Sequence, residues 1–283
     1  MNDSPGISRI PLLAASAAAA LAMAGLTGTA DAAAAAGPAA GPASGQHLVV
    51  SPNLVRPDST TAYTSHNWDG YFTTDSSDST DFTAVSAQWV EPKVTCNSNN
   101  SYAGFWIGFD GWWNESVEQD GTAVECTKGK PSYHVWWEMY PYNEVQNGFA
   151  ISPGDKITAS VTYSASTQKF TMKVTDTTLG KTLSVSQKCH SDQAGCPRNS
   201  AEVISEDIGG GTDTDGLFYL PDYGTATYLD VSVTNAAGHT GTLSDPAWNL
   251  GEVTEVSSTS VTKQNVSAIS SNGSSFSTAW LHQ

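Results

Sequence analysis

Positive charge is scarce in this chain. Twelve Lys and Arg stand against 28 Asp and Glu, a formal net charge of −16, and only 14% of residues are charged at all. So acidic a chain repels phosphates, and nucleic acid is not an expected partner. Polarity comes instead from Ser, Thr and Asn, neutral groups that change little when carboxylates are protonated. Long apolar runs are missing except for Pro11 to Leu26, which is short and rich in Ala and Gly, so no membrane anchor is expected. Familiar hydrolytic signatures are missing too. There is no Gly-x-Ser-x-Gly, no His-Glu-x-x-His, and no Asp-Thr-Gly or Asp-Ser-Gly. Without a Cys-x-x-Cys or a His pair at ligand spacing, neither a metal nor any other cofactor is expected.

What is present begins with an export signal. Met1 to Arg9 is a short n-region, Pro11 to Leu26 the apolar stretch, and Ala30-Asp31-Ala32 a small-x-small cleavage pattern. Residues 1–32 therefore read as a signal peptide, and the protein as secreted. Residues 33–64 are Ala/Gly/Pro-rich and then irregular, with Pro38, Pro42, Pro52 and Pro57, which suits a linker or short propeptide. Residues 65–283 read as one domain. Its four cysteines, Cys96, Cys126, Cys189 and Cys196, allow three pairings. Disulfides are the default in an exported chain, and neighbouring pairs, Cys96–Cys126 and Cys189–Cys196, are the simplest choice.

From Ser65 onward, β-branched and aromatic runs are punctuated by Gly, Asn, Asp and Pro. Ile157, Ala159, Val161 and Tyr163 alternate with Thr158, Ser160 and Thr162; Phe170, Met172 and Val174 alternate likewise. Many short strands with polar turns predict an all-β fold, an antiparallel β-sandwich. The Ser/Thr/Val-rich stretch from Thr254 to Asn272 reads as a last edge strand pair or a loosely held end.

Residues two apart on a strand point the same way, so alternation becomes a site prediction. Phe105, Ile107 and Phe109 belong to a core, leaving Trp106, Gly108 and Asp110 on the opposite face. Val135, Trp137 and Met139 likewise oppose His134, Trp136, Glu138 and Tyr140. Glu202, Ile204 and Glu206 share a face, as do Val117 and Gln119. Polar groups beside aromatic walls have the composition of a substrate cleft laid across a sheet. Within it, a carboxyl could activate a water and a primary amide could hydrogen-bond an oxyanion. The Trp112-Trp113 pair either straddles a strand or sits exposed in a loop.

Seven stretches in one order carry a family resemblance. They are Ser65-His66-Asn67-Trp68-Asp69-Gly70, Val85 to Pro92, Trp106 to Gly111, Val117 to Gly121, Trp136 to Pro141, Gly154 to Ile157, and Ala201 to Asp207. From about Ser65 to Asp230 the chain resembles the glutamic peptidases, or eqolisins, which are secreted, pepstatin-insensitive endopeptidases active in acid. The resemblance implies two curved antiparallel sheets of lectin-like (concanavalin A-like) architecture, with a groove for polypeptide substrates. It implies Gln119 and Glu206 as the catalytic pair and Trp106, Asp110, Trp136 and Glu138 as cleft residues. Two positions depart from the fungal members: His134 and Ala123 stand where those carry acids, so the cleft's carboxyl network should be thinner at that end.

Two rival functions fit a sandwich rich in Trp and Tyr. One is a carbohydrate-binding lectin; the other is a glycosidase using Glu138 and Glu206. The Asp213-Thr214-Asp215-Gly216 loop hints at calcium, with too few ligands at the right spacing. No feature calls for an oligomer, and a monomer is expected.

Overall fold

The computed structural model describes residues 51–55, 61–75, 82–142, 144–146, 148–190 and 195–283. The expected signal peptide and much of the expected linker lie outside these residues. Sixteen strands follow in chain order: β1 (Ser51–Val55), β2 (Thr61–Ser65), β3 (Trp68–Asp75), β4 (Phe82–Val90), β5 (Ser101–Asp110), β6 (Val117–Thr127), β7 (Lys130–Tyr140) and β8 (Lys156–Ser164). Then come β9 (Lys169–Asp176), β10 (Lys181–Gln187), β11 (Ser200–Asp207), β12 (Thr225–Asn235), β13 (Thr240–Gly241), β14 (Trp248–Glu255), β15 (Gln264–Val266) and β16 (Phe276–Trp280). The described residues contain no helix.

Two sheets form the expected sandwich. The first has strand order β1-β2-β14-β3-β11-β5-β6-β7, and the second β10-β9-β8-β4-β12-β16-β15, with β13 beside β12. Every pairing is antiparallel except β14 with β2. The core between the sheets is built by the predicted alternation. Phe105, Ile107 and Phe109 of the first sheet join Val85, Trp89, Val161, Met172 and Tyr228 of the second in one buried cluster. Each such side chain contributes about 1.5–3 kcal/mol by leaving water.

The first sheet also buries its outer face. All ten residues of β5 are inaccessible, because Trp68, Phe72, Trp106, Trp112, Trp136 and Ile204 form a second apolar cluster there. That layer is where the chemistry lies.

The ends of the domain are tied in. The Thr254–Asn272 stretch holds the end of β14 and β15, and β15 pairs with β16 at the edge of the second sheet. Lys263 is buried with its ammonium against Asp207, Asp213 and Glu255, which fastens this stretch to β11. At the other end, β2 falls inside the stretch expected to be linker. It pairs with β14, and Tyr63 packs its ring against Phe72 and Trp112. The disulfides are Cys96–Cys126 and Cys189–Cys196.

Several carboxyl groups are buried without a cation. Burial pushes Glu91 from an ordinary 4.5 up to about 8, and it holds Asp69, Glu118, Asp120 and Glu202 well above the usual carboxylate range. A group that binds its proton more tightly when folded stabilises the fold fully below its unfolded pKa. That contribution is lost as pH rises towards the folded value. Thermal unfolding followed by circular dichroism should therefore give a midpoint that falls continuously from about pH 4.5 to 8, with a free-energy loss on the order of a few kcal/mol. A midpoint that is flat or rises across that range would contradict this assignment.

Candidate active site

Strand register arranges the outer face of the first sheet in three lateral rows. One row runs Phe72, Glu202, Gly108, Gln119, Glu138 from β3 to β7. The next runs Gly70, Ile204, Trp106, Gly121, Trp136. The third runs Trp68, Glu206, Gly104, Ala123, His134. Gln119 and Glu206 thus lie two rows and two strands apart, with Trp106 on the diagonal between them.

Glycine makes that diagonal possible. A Cβ on Gly121 would stand 2.7 Å from the Trp106 Cβ and 2.2 Å from the Phe105 carbonyl, so any side chain there would drive β5 from β6. A Cβ on Gly108 would lie 3.0 Å from the Gln119 Cβ. Gly104 and Ala123, in the Glu206 row, are buried, and a Cβ on Gly104 would meet Ile208 Cδ1 at 3.3 Å and Trp106 Cδ1 at 3.6 Å.

Glu206 is the one residue of β11 that is not buried. Its Oε2 accepts from the Trp106 indole Nε1 at 2.8 Å and its Oε1 from the Asn67 Nδ2 at 2.9 Å. Asn67 is itself oriented, because the Ser65 hydroxyl donates to its Oδ1 at 3.1 Å. Desolvation pushes Glu206 up to about 8, against the pull of Trp68, Trp106 and Asn67, and the nearby Glu144 carboxylate adds to the push. Sequence reasoning missed Asn67 as a site residue, although it stands in the first of the seven motifs.

Gln119 is almost wholly buried. Its Nε2 donates to Glu138 Oε2 at 2.5 Å, while its Oε1 is buried with no hydrogen-bond partner among the described residues. One N–H is thereby anchored, which leaves the second N–H and the carbonyl oxygen for a ligand.

The other sequence-predicted residues divide. Trp106, Trp136 and Glu138 join this face. Asp110 does not present its carboxylate there. Its φ of +72° breaks the alternation at the end of β5. Its oxygens accept from Asn114 Nδ2 at 3.0 Å, Asn199 N at 3.0 Å and Arg198 N at 2.8 Å. The buried carboxylate ties the loop after β5 to the start of β11. His134 lies at the far end of the Glu206 row, where its Nε2 is 3.1 Å from the Tyr102 hydroxyl and 3.3 Å from Glu144 Oε1. Glu144, beyond β7, was not anticipated.

The tryptophan pair splits: Trp112 stacks on Phe72 at 3.7 Å, and Trp113 is 60% exposed. In the acidic loop, Asp213 Oδ1 accepts from the Asp215 and Leu217 amides while Oδ2 faces Lys263, so its carboxylate closes the turn and pairs with the lysine.

Comparison with known proteins gives this geometry a context. The profile of the Peptidase A4 family matches residues 66–277. Scytalido-glutamic peptidase, solved with a transition state analog inhibitor, is similar with a TM-score of 0.63 at 26% identity over 76% of this chain and 98% of its own. SCP-B, a member of the eqolisin family of peptidases in complex with the tripeptide Ala-Ile-His, shares the fold with a TM-score of 0.60 at 24% identity, covering 76% of this chain and 98% of its own. Aspergilloglutamic peptidase from Aspergillus niger shares it with a TM-score of 0.53 at 24% identity, covering 64% and 99%. No curated protein sequence matches.

Asp110 provides a test of the split between cleft and scaffold. Asp110→Ala leaves buried amides without an acceptor and should lower unfolding free energy in urea by about 1–3 kcal/mol. The KM of the folded variant should be unchanged; a raised KM at unchanged stability would return Asp110 to the cleft.

Proposed function

The chain belongs to the peptidase A4 family and is a glutamic endopeptidase, and on that premise we propose that Glu206 and Gln119 form its catalytic pair. The observation that carries the proposal is the contrast between these two groups and their surroundings. Glu206 is the one reachable side chain on an otherwise buried strand. Gln119 is an anchored amide with an unused oxygen.

In this mechanism, ionised Glu206 takes a proton from the water, and the resulting hydroxide attacks the peptide carbonyl. The free Gln119 N–H donates to the oxyanion. Glu206 then passes its proton to the leaving nitrogen as the C–N bond breaks. Trp106 and Asn67 fix the carboxyl so that little reorganisation accompanies the transfer. Its raised proton affinity makes Glu206 a stronger base than a free carboxyl and a secure holder of the proton until the amine departs.

Its substrates are polypeptides. The export signal and the two disulfides support secretion, and the acidic charge balance supports neither nucleic acid nor membrane as a partner. We read residues 65–283, together with the β2 residues from Thr61 that pair with β14, as the peptidase domain, working as a monomer, and the rest of the 33–64 stretch as linker or short propeptide.

Purified Gln119→Ala should lose about 10²–10³ in kcat on casein, the usual cost of an oxyanion donor. Glu206→Gln should lose more, because it removes both base and acid. Near-wild-type cleavage by a folded Glu206→Gln enzyme would end the assignment.

A further inference from the structure

The bend between β2 and β3 lies against the end of β11 and holds two successive residues there. The Asn67 carbonyl accepts from the Asp207 amide at 2.8 Å, and Asn67 Nδ2 donates to Glu206 Oε1 at 2.9 Å. Asn67 is buried. A buried primary amide can be seated in two ways, related by a flip that exchanges its donor and acceptor ends. With Nδ2 towards Glu206 the contact stabilises a carboxylate. With Oδ1 there, two acceptors would face each other.

Ser65 decides between them. Its Oγ accepts from the backbone amides of Asn67 at 3.2 Å and Trp68 at 3.0 Å. Both lone pairs are thereby used, and the one hydroxyl proton is left for Asn67 Oδ1, 3.1 Å away. The amide nitrogen must then face Glu206. Ser65 is itself placed by β2. This strand runs parallel to β14 from Thr61 to Ser65, and the Ser65 carbonyl accepts from the Val256 amide at 2.8 Å. Tyr63 of the same strand packs on Phe72 and Trp112. A continuous set of contacts therefore leads from β2 to the carboxyl of Glu206.

We infer that Ser65 and Asn67 are positioning residues for the peptidase reaction: the Ser65 hydroxyl seats the amide of Asn67, and that amide aims the carboxyl of Glu206. The inference rests on the assignment of Glu206 as the general base. A donor to the ionised form lowers a carboxyl's proton affinity, and Asn67 acts on Glu206 in that sense, alongside Trp68 of β3 and Trp106 of β5. The charged group acting on Glu206 is Glu144 from beyond β7, itself beside His134. Asp207 pairs with Lys263, and Asp69 accepts from the Glu255 amide. His66, between Ser65 and Asn67, is partly exposed.

The test measures kcat, KM and the pH profile of kcat/KM on a quenched fluorogenic peptide that the wild type cleaves. The variants are Asn67→Ala, Ser65→Ala and Ser65→Thr, with folding checked by circular dichroism. Because activity needs ionised Glu206, the acid limb reports its titration. Asn67→Ala removes a donor to that ionised form, so kcat should fall about tenfold with KM nearly unchanged, and the acid limb should move to higher pH by about one unit. Ser65→Ala frees the amide to turn and should move both in the same direction by less. Ser65→Thr restores a hydroxyl and should recover most of that loss. An unmoved acid limb in folded, active Asn67→Ala overturns the inference. So does a wild-type profile in Ser65→Ala, or a Ser65→Thr enzyme no better than Ser65→Ala. Loss of the fold in Asn67→Ala and Ser65→Ala alike would make the bend a structural element and overturn it as well. Glu206→Gln, run alongside, separates the two readings: if it stays active, the base assignment fails; if it is inactive while the Asn67→Ala limb is unmoved, only the present inference fails.

Discussion

The close approach of β5 to β6 at Gly121 is the constraint on which the site depends. Trp106 has its Cα 2.8 Å from where a Gly121 side chain would begin. Only a bare backbone there lets the indole stay between the two rows and donate to Glu206. Gly108 is tight in the same way, a Cβ there lying 3.0 Å from the Gln119 Cβ, so bare backbone is what lets this face hold so many large rings.

Electrostatics then limits where such a site can work. Glu206 lies on the sheet that also carries Glu118, Asp120 and Glu202, whose proton affinities burial raises well above the usual carboxylate range. Raising the pH ionises Glu206, which chemistry needs, and also taxes the fold, which prefers those groups neutral. Burial pushes Glu206 and Glu91 both up to about 8, so ionising the base and loading the fold with buried charge go together.

Much of this was legible in the sequence because strands alternate. The core faces of β5, β7 and β8 follow directly from residues two apart, and Gln119, Glu138, Trp106, Trp136 and Glu206 fall on one face by the same rule. The rule failed where the backbone left the extended region. At Asp110 a left-handed φ turned the carboxylate into the scaffold. It was silent where partners come from outside the strand period. Asn67 reaches Glu206 across 139 positions, and Glu144 arrives from a segment with no regular pattern. Tyr63 was hidden for another reason: β2 follows a proline-rich stretch that reads as linker. The absence of acids at Ala123 and His134 was visible, but not the residue that brings a carboxylate to that end of the row.

The most direct test of the account is a crystal structure of the enzyme with a peptide-based tetrahedral transition-state analogue. The account predicts one analogue oxygen within hydrogen-bonding distance of Gln119 Nε2 and another within reach of the Glu206 carboxylate. An analogue that touches only one of the two side chains, or that binds away from this face, would contradict it.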